Sequence, residues 1–156
     1  MNARSIVAVV AGAAVATTVG VTDTPRAVAD PATAEFGTAL EVAGGAYTVD
    51  DLQPSATDEL NVPLTGNVPI AGTLWRARAR VNAVRGAVVP AMQFFNARTT
   101  DGHNYRVLVQ TFAPDLEISP LAQGATSDGM IYFDVTGPAP TEVVFDDGQS
   151  RLVWAG

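Results

Sequence analysis

The fold class is decided by one stretch of the chain, Thr73-Leu74-Trp75-Arg76-Ala77-Arg78-Ala79-Arg80-Val81-Asn82-Ala83. Its odd-numbered positions are apolar or small, whereas three of its even-numbered positions are arginines. This alternation with a period of two residues is typical of a β-strand that has one buried and one solvated face. We therefore predict a strand over residues 73–83, with Arg76, Arg78 and Arg80 together on its solvated face.

The same period of two residues dominates the sequence that follows, and no segment beyond residue 30 holds a helical apolar stripe for three turns. Short strands separated by turn residues indicate a β-sandwich or barrel. Residues 53–71, which contain prolines, are expected to form a long loop. The other predicted strands cover residues 40–42, 47–52, 91–98, 105–112, 130–136, 142–145 and 151–154.

Two turns predict which strands are antiparallel neighbours. Asp101-Gly102 and Asp147-Gly148 supply residues that accept a positive φ angle, so each pair is suited to closing a β-hairpin. Tyr105 follows Asp101 with the spacing of a tyrosine corner, in which the phenol clamps the chain entering a strand. The alternative is that Tyr105 is an ordinary strand residue with its hydroxyl in water.

The N-terminal segment indicates export. Residues 1–4 carry one positive charge, residues 5–21 are uncharged and mostly apolar, and Ala27-Val28-Ala29 matches the small-residue site of a signal peptidase. We predict a cleavable signal peptide over residues 1–29 and a secreted, extracellular domain over residues 30–156. A retained signal anchor is the alternative. The chain has no cysteine, so the exported domain must fold without disulfides.

Composition and charge exclude several classes of protein. The 156 residues are 47% hydrophobic and only 16% charged, which is too apolar for a disordered chain and allows one compact domain. Nine arginines face 16 acidic residues, and the formal net charge is −7. Such a molecule repels phosphate backbones, so we expect no nucleic-acid partner. After signal cleavage we also expect no association with membranes.

Three longer strings carry a resemblance to a known family. They read W-R-A-R-A-R-V-N-A-V-R-G from Trp75, F-N-A-R-T-T-D-G-H-N-Y-R-V from Phe95 and G-M-I-Y-F-D-V-T-G-P-A-P-T from Gly129. The chain closely resembles the secreted mycobacterial immunogenic proteins of the MPT sixty-three type, most strongly over residues 68–154. The resemblance implies an immunoglobulin-like antiparallel β-sandwich, export and an actinobacterial origin. It brings no catalytic residues.

No residue pattern predicts an enzyme, a cofactor site or a metal site. His103 is the only histidine and sits in a predicted hairpin tip, where we expect it to be solvated. Without cysteine, zinc would need mostly carboxylate ligands. The acidic pairs could in principle bind calcium, but they lack the spacing of a calcium loop, so we interpret them as solvated turns. These pairs are Asp50-Asp51, Asp58-Glu59 and Asp146-Asp147.

The aromatic residues are interpreted mainly as core. If Trp75 or Trp154 were exposed instead, it would offer a flat platform for a sugar or peptide. Phe94 has the opposite strand parity to Phe95, so we expect it to point away from the core and to be a candidate contact residue. The residues predicted to lie on buried faces are Trp75, Phe95, Ile131, Phe133, Val135, Phe145 and Trp154.

Two interpretations of the arginine stripe remain open. Arg76, Arg78 and Arg80 could recognise carboxylates or other anions, or they could pair with acids such as Glu142 or Asp134 on neighbouring strands. We expect a secreted, non-enzymatic immunogenic protein that binds a host or cell-surface protein, with the three arginines and Phe94 as candidate contacts. The alternative function is a small-ligand or carbohydrate-binding module.

Overall fold

The computed structural model of the chain describes residues 30–63, 66–109 and 116–156. These residues form eleven strands and one turn of 3-10 helix at Met92–Phe94. None of the helical structure in these three ranges is long and apolar enough to cross a membrane. The strands are β1 (Ala32–Glu35), β2 (Ala39–Val42), β3 (Gly45–Pro54), β4 (Leu60–Val62), β5 (Gly66–Val68), β6 (Thr73–Ala83), β7 (Phe95–Arg98), β8 (Asn104–Leu108), β9 (Thr126–Val135), β10 (Glu142–Asp146) and β11 (Arg151–Ala155).

Nine of the strands follow one hydrogen-bonded order, β1-β11-β10-β7-β8-β9-β6-β3-β2, which is folded into two layers. β8 belongs to both layers, because Tyr105 pairs with β7 whereas Val107 and Leu108 pair with β9. The pairs are antiparallel except for β1 and β11, which run parallel. The predicted all-β, immunoglobulin-like sandwich is therefore confirmed, with one parallel pair at its edge.

The hydrophobic core lies between the two layers. The ring centroid of Tyr47, on β3, lies 4.8 Å from the ring centroid of Phe145, on β10 in the facing layer. Six of the seven residues predicted to be buried are buried. The prediction is wrong for Trp75 alone, because its side chain is partly exposed. The six are Phe95, Ile131, Phe133, Val135, Phe145 and Trp154.

The predicted alternation of β6 holds along most of its length. Its bounds match the predicted strand, and Ala77, Ala79 and Val81 are buried. Leu74 departs from the pattern, because it is only 1% exposed although it has the parity of the arginines. Its backbone carbonyl accepts a hydrogen bond from the Ser55 N–H at 2.7 Å, and its N–H donates to the Asp58 carboxylate at 3.3 Å. The solvated face therefore begins at Arg76.

Both predicted hairpins are confirmed. β7 pairs with β8 across Asp101-Gly102, and β10 pairs with β11 across Asp147-Gly148. Only the glycine of each pair takes a positive φ, 95° at Gly102 and 81° at Gly148. The preceding Asp147 instead accepts hydrogen bonds from the next backbone N–H groups, which fixes the turn.

Neither interpretation of Tyr105 is correct. Its hydroxyl donates a 2.9 Å hydrogen bond to the backbone carbonyl of Pro138, which lies 33 residues further along the chain. The phenol therefore ties β8 to the turn before β10 and does not clamp its own approach loop. A Cβ on Gly137 would lie 2.9 Å from the Tyr105 hydroxyl, so glycine permits this close approach.

Several predicted boundaries are wrong. The predicted strand over 91–98 is split, because Met92–Phe94 forms the 3-10 helix. The predicted loop over 53–71 contains the β4–β5 hairpin, and β1 was not predicted. Part of the predicted strand 105–112 lies outside the described residues, as does the predicted signal peptide over residues 1–29.

Candidate functional site

The arginine stripe lies on the outer face of the β3-β6-β9 layer. The neighbours of each arginine follow from the strand register, because residues directly opposite one another share a face of the sheet. Arg76 lies opposite Gln53 and Tyr132, Arg78 opposite Asp50 and Met130, and Arg80 opposite Thr48 and Asp128. The predicted clustering of the three arginines on one face is thus confirmed.

Asp128 pairs with two of the three arginines. Its carboxylate accepts a hydrogen bond from Arg78 Nε at 2.7 Å and one from Arg80 Nε at 2.9 Å. Burial raises the pKa of the Asp128 carboxyl, but the hydrogen bonds and charges of the two arginines together outweigh burial and hold the pKa below its usual value. The carboxylate is therefore an integral part of this face.

The predicted acidic partners of the stripe were the wrong acids. Glu142 pairs with Arg98 on β7, and the Asp134 carboxylate accepts hydrogen bonds from the backbone N–H groups of Ala71 and Gly72. Sequence reasoning missed Asp128, although its parity with Met130 on β9 was a usable signal. The pairing interpretation is confirmed for Arg78 and Arg80 with Asp128 as the acid.

Arg76 has a different environment from the other two arginines. Its Nε is buried and has no hydrogen-bond partner. Within the described part of the chain, its guanidinium takes part in no ion pair. The buried Nε is closed to an outside ligand, so the capacity of Arg76 for a carboxylate or another acceptor lies in its two terminal nitrogens.

A hollow of about 530 Å³ lies beside Arg76 on this face. A bulge in β3 shapes it, because the register with β6 shifts between Asp50 and Leu52 and Asp51 takes a positive φ of 39°. A second hollow of about 460 Å³ shares Asp51 and Gln53 with the first. The first hollow is lined by Asp50, Asp51, Gln53, Arg76, Arg78 and Met130. The second is lined by Phe36, Asp51, Leu52, Gln53, Pro140, Thr141 and Gly156.

The prediction that Phe94 points away from the core is wrong. Phe94 is partly buried, and its ring packs edge-on against Phe145 with centroids 6.0 Å apart. The strand parity argument failed because the 3-10 helix turns the backbone between Phe94 and Phe95. A role for Phe94 in partner contact stays a prediction.

The aromatic platform considered for sugar binding has little support on this face. Trp154 is fully buried, and Trp75 is partly buried against the core. Neither tryptophan lines either hollow, and Phe36 is the aromatic residue that does. Polar and charged groups therefore dominate the chemistry of the first hollow.

His103 and Asp146 have local roles, whereas Asp50 and Asp51 lie within β3 and not in the solvated turn that the sequence predicted. The His103 side chain is 53% exposed and lies 3.8 Å from Asp101, as expected for a solvated turn histidine. The Thr99 hydroxyl, which hydrogen-bonds Asp101, is the main cause that lowers the pKa of that carboxyl. Asp146 pairs with Arg151 at 2.6 Å. In the three described ranges, no three His, Cys, Asp or Glu residues converge as metal ligands would.

Comparison with known proteins identifies close relatives. The immunogenic proteins MPT63 of Mycobacterium tuberculosis and MPB63 of Mycobacterium bovis are each 42% identical over 160 residues, which covers 97% of this chain and 94% of each relative. The crystal structure of MPT63, a secreted protein, matches with a TM-score of 0.71 and covers 82% of this chain and 99% of that one. The expectation of a secreted immunogenic protein is confirmed at this level.

More distant matches show the fold alone. The Bacillus subtilis yjhA protein is 10% identical, with a TM-score of 0.57 over 74% of this chain and 83% of that one.

The family model described as a domain of unknown function, DUF1942, matches residues 31–154. This chain therefore belongs to the DUF1942 family and, like MPT63, is a secreted β-sandwich protein of the immunogenic type.

Proposed function

We propose that the protein is a non-enzymatic interaction protein that binds a protein or cell-surface partner through the outer face of the β3-β6-β9 layer. The observation that carries the proposal is Arg76, a guanidinium with no ion pair among the described residues, beside a hollow of about 530 Å³. Arginine is one of the residue types enriched among the residues that dominate binding energy at protein interfaces. Arg78 and Arg80, held by Asp128, would frame the anchor.

The hollow supports binding better than it supports catalysis. Its polar lining consists of two aspartates, a glutamine and two arginines, and His103 does not contribute to it. A hydrolytic mechanism that uses a histidine base would need that residue within hydrogen-bond reach of a nucleophile. The carbohydrate alternative is also weaker, because neither hollow is lined by a tryptophan.

Binding to intact cells tests the proposal. Fluorescently labelled wild-type protein, Arg76→Gln and Arg85→Gln are titrated onto host cells and onto the producing bacteria. Arg85 is a matched control, because its side chain is 76% exposed and its nearest acid, Glu41, is 3.9 Å away. Arg76→Gln loses a charge-assisted hydrogen bond and is expected to weaken binding about tenfold or more. The affinity of Arg85→Gln is expected to stay within about twofold of that of wild type.

Thermal melts of the three proteins show whether the two variants remain folded. Equal affinity of Arg76→Gln and wild type on every surface that binds would contradict the proposed face. An equal loss in both variants would indicate a non-specific charge effect and would also count against it.

A further inference from the structure

The hollow beside Arg76 carries both signs of charge. Arg76 and Arg78 line it together with Asp50 and Asp51. We infer that this hollow binds a zwitterionic segment of an extended peptide, with a carboxylate on Arg76 and an ammonium or guanidinium group on Asp51. The inference rests on the proposed function and names the chemistry of the partner.

Arg76 forms the half of the site that binds the carboxylate of the peptide. Arg78 and Arg80 already share the two oxygens of Asp128, whereas Arg76 lines the hollow and takes part in no ion pair among the described residues. Its buried Nε is closed to a ligand, so the peptide carboxylate would meet the terminal nitrogens. A carboxylate offers two oxygens to the planar guanidinium and can bond to it bidentately. A phosphate group of higher charge is disfavoured, because Asp50 and Asp51 line the same hollow.

Asp51 forms the half of the site that binds the cationic group of the peptide. In the described residues neither Asp51 nor Asp50 takes part in an ion pair. Asp50 lies directly opposite Arg78 and already interacts with its charge, so Asp51 is the acid left for a ligand cation. Its φ of 39° is unusual for a residue other than glycine, and strained backbone of this kind gathers at functional sites. The bulge places Asp51 in the lining of both hollows, so a cation bound there has room on either side.

The spacing of the two halves fits an extended peptide. Asp51 lies between Asp50, opposite Arg78, and Leu52, opposite Ala77. With strands about 4.8 Å apart and a rise of about 3.3 Å per residue, the backbones of Asp51 and Arg76 are about 7 Å apart. Alternate side chains of an extended peptide are separated by about the same distance. An acidic and a basic residue two positions apart therefore match the backbone spacing of Asp51 and Arg76.

Four acetylated and amidated tripeptides test the inference by calorimetric titration at low salt. They are Glu-Ala-Lys, Gln-Ala-Lys, Glu-Ala-Gln and Gln-Ala-Gln. Glu-Ala-Lys is expected to bind the wild-type protein with a Kd of about 1 mM or lower, and each single replacement is expected to weaken it at least about fivefold. Arg85→Gln, a change at an arginine that does not line the hollow, is expected to behave as wild type.

Protein variants assign each half of the peptide to its residue. Arg76→Gln is expected to abolish the preference for Glu over Gln and to keep the preference for Lys. Asp51→Asn is expected to abolish the preference for Lys over Gln and to keep the preference for Glu. Asparagine suits this position because it tolerates the positive φ of the bulge. If Arg76→Gln does not fold, Arg76→Lys keeps the charge, and the Glu preference is expected to fall without the bidentate geometry.

Several outcomes overturn the inference. They are no binding of Glu-Ala-Lys at about 10 mM, equal binding of all four peptides, a Glu preference that survives Arg76→Gln, and equally strong competition by inorganic phosphate. These outcomes are distinguishable from failure of the proposed function. If binding to cells still depends on Arg76, the face is an interaction surface that recognises another group; if it does not, the proposed function itself fails.

Discussion

Replacing the two tryptophans one at a time tests the burial that the fold assigns to them. Trp154 is fully buried, and its Nε1 donates a 2.9 Å hydrogen bond to the Thr38 carbonyl. Its ring also stacks on Phe95, with centroids 6.4 Å apart. Trp75, in contrast, is only partly buried against the core. The structure therefore predicts a larger loss of stability for Trp154→Ala than for Trp75→Ala.

The size of the difference follows from the buried area. A fully buried aromatic side chain removes about 150 to 250 Å² from water, which at about 25 cal/mol per Å² contributes about 4 to 6 kcal/mol. Large-to-small substitutions of buried aromatics cost about 3 to 5 kcal/mol. We expect about 4 to 5 kcal/mol for Trp154→Ala, which also leaves the Thr38 carbonyl without its donor, and about 2 kcal/mol for Trp75→Ala.

Urea unfolding followed by far-UV circular dichroism measures both losses. Tryptophan fluorescence is unsuitable, since each variant removes one of the two fluorophores. Trp154→Phe keeps an aromatic ring in the core and is expected to lose about 2 kcal/mol, which gives an intermediate point if Trp154→Ala is too unstable to measure. A loss at Trp75 equal to or larger than that at Trp154 would refute the reasoning and would place Trp75 in the core.

Three further predictions follow from single features. The hydrogen bonds and charges of its two arginine partners outweigh burial and leave the pKa of Asp128 depressed. The stabilising effect of the carboxylate is therefore present above about pH 4 and is lost as pH falls through the depressed pKa. The melting temperature of Asp128→Asn should fall less between about pH 5 and pH 3 than that of wild type. Tyr105→Phe removes the hydroxyl that bonds the Pro138 carbonyl and should cost about 1 to 2 kcal/mol in urea melts. N-terminal sequencing of protein from culture medium should begin at Asp30, and a start well before that residue would contradict cleavage after Ala29.

The parts of the fold that could be predicted from sequence are those set by local alternation. The bounds of β6 and the common face of its arginines follow from the residues themselves, since side chains in a strand alternate between two faces. The two Asp-Gly hairpins are equally local, because the glycine alone permits the turn. Burial of Phe133 and Trp154 followed from the same parity argument.

The parts that could not be predicted depend on distant segments. Asp128 is 48 residues from Arg80, so their hydrogen bond requires the register between β6 and β9. The bulge at Asp51 adds a residue that reverses parity within β3, and alternation cannot reveal such an insertion in advance. The prediction for Phe94 failed for a similar reason, because the turn of 3-10 helix interrupts the strand alternation from which its direction was predicted.

The net charge of the molecule determines how its arginine face can select a partner. With a formal net charge of −7, the protein repels anionic partners at a distance, and on the proposed function Arg76 would act only once they are within about a Debye length of 8 Å. Added salt then has two opposite effects on a partner of net negative charge. It screens the long-range repulsion and raises the association rate constant, while it weakens the contact with Arg76 and raises the dissociation rate constant. A protein that attracts anions by its overall charge associates more slowly as salt rises, so the sign of this dependence separates contact recognition at one guanidinium from steering by the whole molecule.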